Sequence, residues 1–269
     1  MAIPSGAIGV FDSGVGGLSV LHHIRHALPD ERLIYVADSG HVPYGDKPAS
    51  YIEKRSLTLA HFLIEQGADA IVIACNTATA AAAATLRSCF NIPIIAMEPA
   101  VKPAVAATKS GVIGVLATVG TLESARFAAL LERYAGEVEI VTQGCPGLVE
   151  RVECGELSGE GIRELIARYT EPLLARGADT LILGCTHYPF LAPLITEVVG
   201  DSIVLIDTGA AVARQLRSRI RAELPARTSG ASLSAEFWTS GDAAQASRIM
   251  SMLWGEDVAV QRLSQQVLS

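Results

Sequence analysis

The chain has 269 residues, a formal charge of −7, a half-hydrophobic composition and an aromatic share of only 5%. That length holds two α/β lobes or one large one, with an aliphatic, alanine-rich core. No lysine/arginine block interleaved with aromatics occurs, which excludes nucleic acid as the principal ligand, and no apolar run approaches the roughly 20 residues that span a bilayer. Met1 to Gly6 lack the basic segment and long apolar stretch of a signal peptide. The five cysteines, an odd count at irregular spacing, read as reduced thiols of a cytoplasmic chain rather than as a disulfide framework.

Apolar runs alternate with stretches of helical period along the chain, the pattern of parallel strands with crossover helices. Ala7 to Phe11 is the first strand and feeds a helix carrying Leu21, Ile24 and Leu28. Leu33 to Ala37 is the second strand, followed by a polar loop from Asp38 to Pro48. A helix over Ser50 to Gln66 carries Ile52, Leu59 and Leu63 and stops at Gly67, ahead of a third strand at Ala70 to Ala74.

The same order then starts again. Ile8-Gly9-Val10-Phe11 is echoed by Ile113-Gly114-Val115-Leu116, and Val138 to Val141 repeats the second strand. A helix with Ile162, Leu165, Ile166, Tyr169 and Leu173 leads to the clearest repeat. Gly67-Ala68-Asp69-Ala70-Ile71-Val72-Ile73-Ala74-Cys75 recurs without a gap as Gly177-Ala178-Asp179-Thr180-Leu181-Ile182-Leu183-Gly184-Cys185. This is a duplication giving two pseudo-symmetric lobes, each a mainly parallel sheet flanked by helices, with a site in the cleft between them. Beyond the second copy come a strand at Ile203 to Ile206, helices at Ala210 to Ala222 and Ala243 to Trp254, and a strand at Ala235 to Thr239. This tail has no counterpart in the repeat and is assigned to the first lobe. The expected domains are residues 1–99 plus 209–269, and residues 100–208.

Each copy presents a thiol at the carboxyl end of a buried parallel strand, where open α/β sheets bind ligands. Two thiols across one cleft suit proton transfer to and from opposite faces of a carbon acid, as in a racemase or epimerase. Cysteine can serve as acid or base because its environment moves its pKa by several units. Cys75, followed by Asn76-Thr77, sits before a helix N-terminus that favours a thiolate, and His187 can exchange a proton with Cys185. The competing readings are two small buried hydrophobes, a thiol redox pair, and a binding protein that kept the cleft.

Asp12-Ser13 opens the turn Gly14-Val15-Gly16-Gly17, whose N–H groups suit an anion, most economically a substrate carboxylate. The turn fails the dinucleotide pattern at Ser19. Asp12 reads equally as a helix cap or as an acid–base partner for a thiol. Pro43-Tyr44-Gly45 is a turn at the same end of the sheet. Cys89, Cys145 and Cys154 read as structural, His22, His23 and His26 as a solvated helix face rather than a metal site, and Trp238 and Trp254 as packing in the tail.

The chain closely resembles the glutamate racemases. The resemblance lies in Ile8 to Gly17, in Asp38 with Val42-Pro43-Tyr44-Gly45, in Ala74-Cys75-Asn76-Thr77-Ala78, and in Leu183-Gly184-Cys185-Thr186-His187-Tyr188-Pro189. It implies a cofactor-independent, metal-free isomerase that supplies D-glutamate for peptidoglycan, with no membrane partner and with dimers common. By the same resemblance Cys75 acts on D-glutamate with help from Asp12, and Cys185 on L-glutamate with help from His187. Ser13, Tyr44, Gly45, Asn76, Thr77 and Thr186 would hold the substrate, and Thr118 and Thr121 would line the second lobe's side of the cleft. Glu153 matches an acidic residue near the second thiol, in a segment that departs from the usual pattern at Glu150 and Arg151. His187 favours glutamate over aspartate, since aspartate racemases usually carry an acidic residue there. The cleft implies closure of the lobes over the substrate.

Overall fold

The computed structural model describes residues 6–134, 136–224 and 235–264. The first half runs β1 (Ala7–Asp12), α1 (Leu18–Ala27), β2 (Arg32–Ala37), α2 (Ala49–Glu65), β3 (Ala68–Ile73), α3 (Asn76–Cys89) and β4 (Ile94–Ala96). The second runs α4 (Val101–Ala107), β5 (Val112–Ala117), α5 (Val119–Leu122), α6 (Ala125–Tyr134), β6 (Glu139–Gly144), α7 (Leu148–Glu153) and α8 (Glu160–Ala175). It continues with β7 (Thr180–Leu183), α9 (Ala192–Val199) and β8 (Val204–Ile206). The chain then adds α10 (Gly209–Glu223), β9 (Ala235–Thr239), α11 (Ala243–Trp254) and β10 (Val260–Arg262).

Two parallel sheets result, as the alternation of elements predicts. Their strand orders are β10-β9-β2-β1-β3-β4 and β6-β5-β7-β8. The shared core is β2-β1-β3-β4 in one sheet and β6-β5-β7-β8 in the other. This corrects one expectation: the strand at Val204–Ile206 is no tail element but the counterpart of β4, a three-residue strand that the sequence reading missed. The segment Ile94-Ile95-Ala96 is too short to show a period, so its pattern carries no strand signal. β9 pairs with β2 and β10 with β9, lengthening the first sheet at one edge, while α10 lies against α1.

The central strands read as unbroken aliphatic runs because helices cover both faces. All six residues of β1 are buried, and Ile71, Val72 and Ile73 of β3 are fully so. Each such aliphatic side chain contributes about 1.5–3 kcal/mol by leaving water. α2 and α8 both stop ahead of a glycine in the left-handed region, Gly67 at φ 92° and Gly177 at φ 87°, which lets the chain turn directly into the next strand. The two copies therefore enter their thiol-bearing strands by the same device. No helix among the described residues is long and apolar enough to cross a membrane.

Candidate active site

The carboxyl ends of β1, β3, β5 and β7 deliver Asp12-Ser13, Cys75, Thr118 and Cys185 to one region. Ser13, Tyr44, Gly45, Cys75, Asn76, Thr77, Thr118, Thr121, Cys185, Thr186 and His187 line one narrow, partly open cavity. Asp12 and Glu153 stand directly behind its wall. The sequence reading omitted one hydrophobic lining residue, Val149. It lies one helical turn before Glu153 on α7, and the i, i+4 spacing was the available signal.

Cys75 is the N-cap of α3, with its sulfur 3.4 Å from the Ala78 amide nitrogen and 3.8 Å from Ser13 Oγ. The helix end was expected to favour the thiolate. Burial and the Asp12 carboxylate outweigh the Ala78 N–H, however, and the thiol's pKa is pushed well up. In this arrangement Cys75 holds its proton at neutral pH and is poised as an acid.

The other thiol has different company. Cys185 Sγ lies 3.6 Å from His187 Nδ1, and His187 Nε2 lies 2.6 Å from Glu153 Oε1. Burial by itself lowers the pKa of an imidazole; the hydrogen bonds and charges of Cys185 and Glu153 override it and raise that of His187 well above its ordinary value. His187 is thereby placed to exchange a proton with the neighbouring thiol.

Asp12 does not cap α1, whose N-cap is Gly17 without a side-chain hydrogen bond; it is held instead in the turn before the helix. Its two oxygens accept the Ser13 and Gly17 N–H groups at 2.6 Å each, and Thr186 Oγ1 donates to Oδ2 at 3.1 Å. Burial raises its pKa, against the lowering effect of His187 and of its hydrogen bonds with Cys75 and the Ser13 N–H, so it sits closer to the pKa of a group that shares a proton with a thiol.

Two of the N–H groups of the glycine turn are held by the protein's own carboxylates: Val15 N donates to Glu153 Oε1 at 2.6 Å and Gly17 N to Asp12 Oδ2 at 2.6 Å. A Cβ at Gly14 would stand 1.9 Å from Glu153 Oε1 and one at Gly16 2.3 Å from His187 Nδ1. The turn is glycine-rich because the second copy's helpers lie directly on its backbone.

Around the rest of the wall, Thr77, Thr118 and Thr121 form a triangle of hydroxyls with sides of 3.0, 3.1 and 2.9 Å. It joins α3 to the start of α5 across the two copies. Asn76 is buried, and neither its side-chain oxygen nor its nitrogen has a hydrogen-bond partner among the described residues. Tyr44 lines the cavity, and its hydroxyl donates to Asp38 Oδ2 at 2.6 Å. Asp38 and Arg55 form a buried pair, with Nη2 to Oδ1 at 2.8 Å and Nε to Oδ2 at 3.0 Å, that braces this loop.

Other candidates fall elsewhere. Cys145 is buried, its thiol pushed up to about 12 by desolvation, as a structural cysteine should be. Cys89 and Cys154 are exposed and free, away from the two facing thiols. His22 departs from a merely solvated face: it stacks on Trp254 at 4.3 Å and bonds the Leu253 carbonyl. Trp238 packs edge-on against Phe62. No group of three or more metal-ligating side chains occurs among the described residues.

Comparison with known proteins agrees with this geometry. The profile of the Asp/Glu/hydantoin racemase family matches residues 8–216. A glutamate racemase of Pseudomonas aeruginosa is 57% identical over 98% of this chain and 99% of its own. Among solved structures, glutamate racemase isoform RacE1 of Bacillus anthracis superposes with a TM-score of 0.87 at 31% identity, covering 98% of this chain and 99% of that one. The Escherichia coli glutamate racemase, solved with L-glutamate and the activator UDP-MurNAc-Ala, gives 0.86 at 33% identity over 97% and 99% of the two chains.

Proposed function

The chain belongs to the Asp/Glu/hydantoin racemase family and is an amino-acid racemase, an isomerase, and from this premise we propose that it interconverts L- and D-glutamate with two cysteines and no cofactor. The observation that carries the mechanism is the pair of thiols, Cys75 and Cys185, at equivalent strand ends of one cavity. With L-glutamate, the Cys185 thiolate beside His187 takes the α-proton, and the Cys75 thiol gives its own proton to the opposite face of the carbanion. The site is left with a Cys185 thiol and a Cys75 thiolate, which is the starting state for D-glutamate. The cycle is reset by exchange with solvent: the Cys185 thiol gives up its proton to water and the Cys75 thiolate regains one from water, with the His187 imidazolium beside the first and Asp12 beside the second. Desolvation of the two buried thiols strengthens both bases and shields the carbanion.

Ser13, Asn76, Thr77, Thr118, Thr121 and Thr186, with the Tyr44-Gly45 wall, are assigned to the substrate's carboxylates and ammonium group. The unpartnered Asn76 amide supports this, since a buried amide without partners costs about 1–3 kcal/mol until a ligand satisfies it. We further take residues 1–99 plus 209–269 and residues 100–208 as two lobes, a cytoplasmic setting, and a supply of D-glutamate for peptidoglycan. These readings rest on the likeness to glutamate racemases.

The test is incubation with pure L- or D-glutamate in D₂O without added cofactor, following optical rotation and α-proton exchange. Interconversion with deuterium entering mainly the product enantiomer is expected. Turnover of aspartate but not glutamate overturns the substrate, and exchange with no amino acid, together with a reversible Cys75–Cys185 disulfide, overturns the reaction.

A further inference from the structure

Tyr35 lies on β2, outside the cavity, and is fully buried. Its hydroxyl donates to the Gly14 carbonyl oxygen at 2.6 Å. The peptide unit that carries that carbonyl also carries the Val15 N–H, and the Val15 N–H donates to Glu153 Oε1 at 2.6 Å. Because a peptide unit is planar and rigid, holding its oxygen fixes the direction of its N–H. Tyr35 and Glu153 therefore grip opposite ends of one peptide plane.

Glycine at position 14 gives the backbone no side-chain restraint of its own, and its Cα lies against the Glu153 carboxylate, where a Cβ would stand 1.9 Å away. The same Glu153 oxygen lies 2.6 Å from His187 Nε2, and His187 Nδ1 lies 3.6 Å from Cys185 Sγ. A continuous set of contacts thus runs from the Tyr35 hydroxyl through the Gly14–Val15 peptide, Glu153 and His187 to the thiol. Burial and the nearby charges of Asp12, Glu153 and Cys75 keep the phenol protonated, so it remains a donor.

We infer that Tyr35 is a positioning residue for the Cys185 half of the reaction, acting through the Gly14–Val15 peptide to hold Glu153 on His187. The inference rests on the reading that Cys185 and His187 act on L-glutamate. Tyr35 reaches no reacting atom itself. Its hydroxyl sets the orientation of the Val15 N–H, which, with His187, fixes the Glu153 carboxylate. Such placement matters because a displacement of about 1 Å at the chemistry costs on the order of a hundredfold in rate.

The experiment is a double-mutant cycle of Tyr35→Phe and Glu153→Gln, with turnover of glutamate measured in both directions. Tyr35→Phe keeps the ring, including its edge-on contact with Phe237 at 6.3 Å, and removes only the hydroxyl. The expected result is a kcat about tenfold lower from L-glutamate with KM within about twofold, and less than about a twofold further loss in the Glu153→Gln background. Replacing Tyr35 by 4-aminophenylalanine, which keeps a ring donor, should restore part of the loss. Equal losses in both backgrounds, or no loss in the first, overturn the inference.

A second arm needs no turnover. By NMR, Tyr35→Phe should speed exchange of the Val15 amide about tenfold and lower the midpoint of the His187 titration. An unchanged Val15 amide and His187 midpoint overturn the relay whether or not the protein racemises glutamate. A Tyr35→Phe chain that does not fold marks the hydroxyl as structural and equally overturns it. Failure of the wild-type chain to turn over glutamate overturns the proposed function alone.

Discussion

Thr186 donates its hydroxyl hydrogen to Asp12 Oδ2 over 3.1 Å, so the residue next to Cys185 holds the carboxylate that stands beside Cys75. The reverse crossing also exists: Glu153, near Cys185, is held by the Val15 N–H of the first copy's turn. Neither thiol is furnished by its own copy alone. Each depends on a group that the other copy holds in place.

Removing either thiol should lower racemisation by about 10³-fold or more, since each supplies general acid–base catalysis from a buried position that water does not replace. The two variants should differ in D₂O. Cys75→Ala leaves Cys185 able to take and return a proton on its own face, so deuterium should enter L-glutamate without inversion, and Cys185→Ala should do the same for D-glutamate. Proton NMR of the α-position checks this, and exchange into both enantiomers in either variant contradicts it.

Stability should depend on His187 at the alkaline side. Its pKa is raised in the fold from the usual 6.5, so the protonated form stabilises the native state. That contribution is complete below about 6.5 and is lost as pH rises through the folded-state value. The melting temperature should therefore decline on the alkaline side of 6.5, and His187→Asn should flatten that decline. A variant with the wild-type slope contradicts the assignment.

Asp38→Ala should destabilise the protein by about 3–5 kcal/mol, because it leaves Arg55, only 6% exposed, without its buried carboxylate. Tyr44 loses the acceptor for its hydroxyl at the same time. Urea unfolding gives the stability, and KM for glutamate should rise as the Tyr44 wall loosens. A loss under 1 kcal/mol would show that the pair is unimportant.

Gly120→Ala tests how tightly the copies meet. A Cβ there would lie 2.7 Å from the Gly45 carbonyl oxygen, a backbone atom that cannot simply turn aside. The two copies should then be held slightly apart, raising KM about tenfold with a smaller effect on kcat, in the range that overpacking produces. Steady-state kinetics decides it, and an unchanged KM shows that this contact does not limit closure.

Much of this was legible in the sequence because it is local. The repeated phrase ending in Cys75 and Cys185 displays a glycine helix stop, an aliphatic strand and a thiol in one stretch of chain. What was not legible depends on pairs far apart in sequence. Nothing near Gly14 or Gly16 announces that Glu153 and His187 lie against them. The Cys75 environment was misjudged for the same reason. Helix position can be read from the next few residues, whereas burial and the approach of Asp12 appear only once strands are aligned. β8 escaped its match with β4 because three-residue strands carry no period.

The duplicated sheets have a thermodynamic corollary. Mirror-image substrates have equal free energies, so the equilibrium constant of their interconversion is one, and kcat/KM must be equal in the two directions for every variant. No substitution on one face can favour an enantiomer at low concentration. The unlike surroundings of the two thiols, Asp12 for one and Glu153–His187 for the other, can show themselves only in how each direction divides that common ratio between kcat and KM. The fold supplies two similar halves to a reaction with no downhill side, and its departures from symmetry govern which enantiomer saturates the enzyme first.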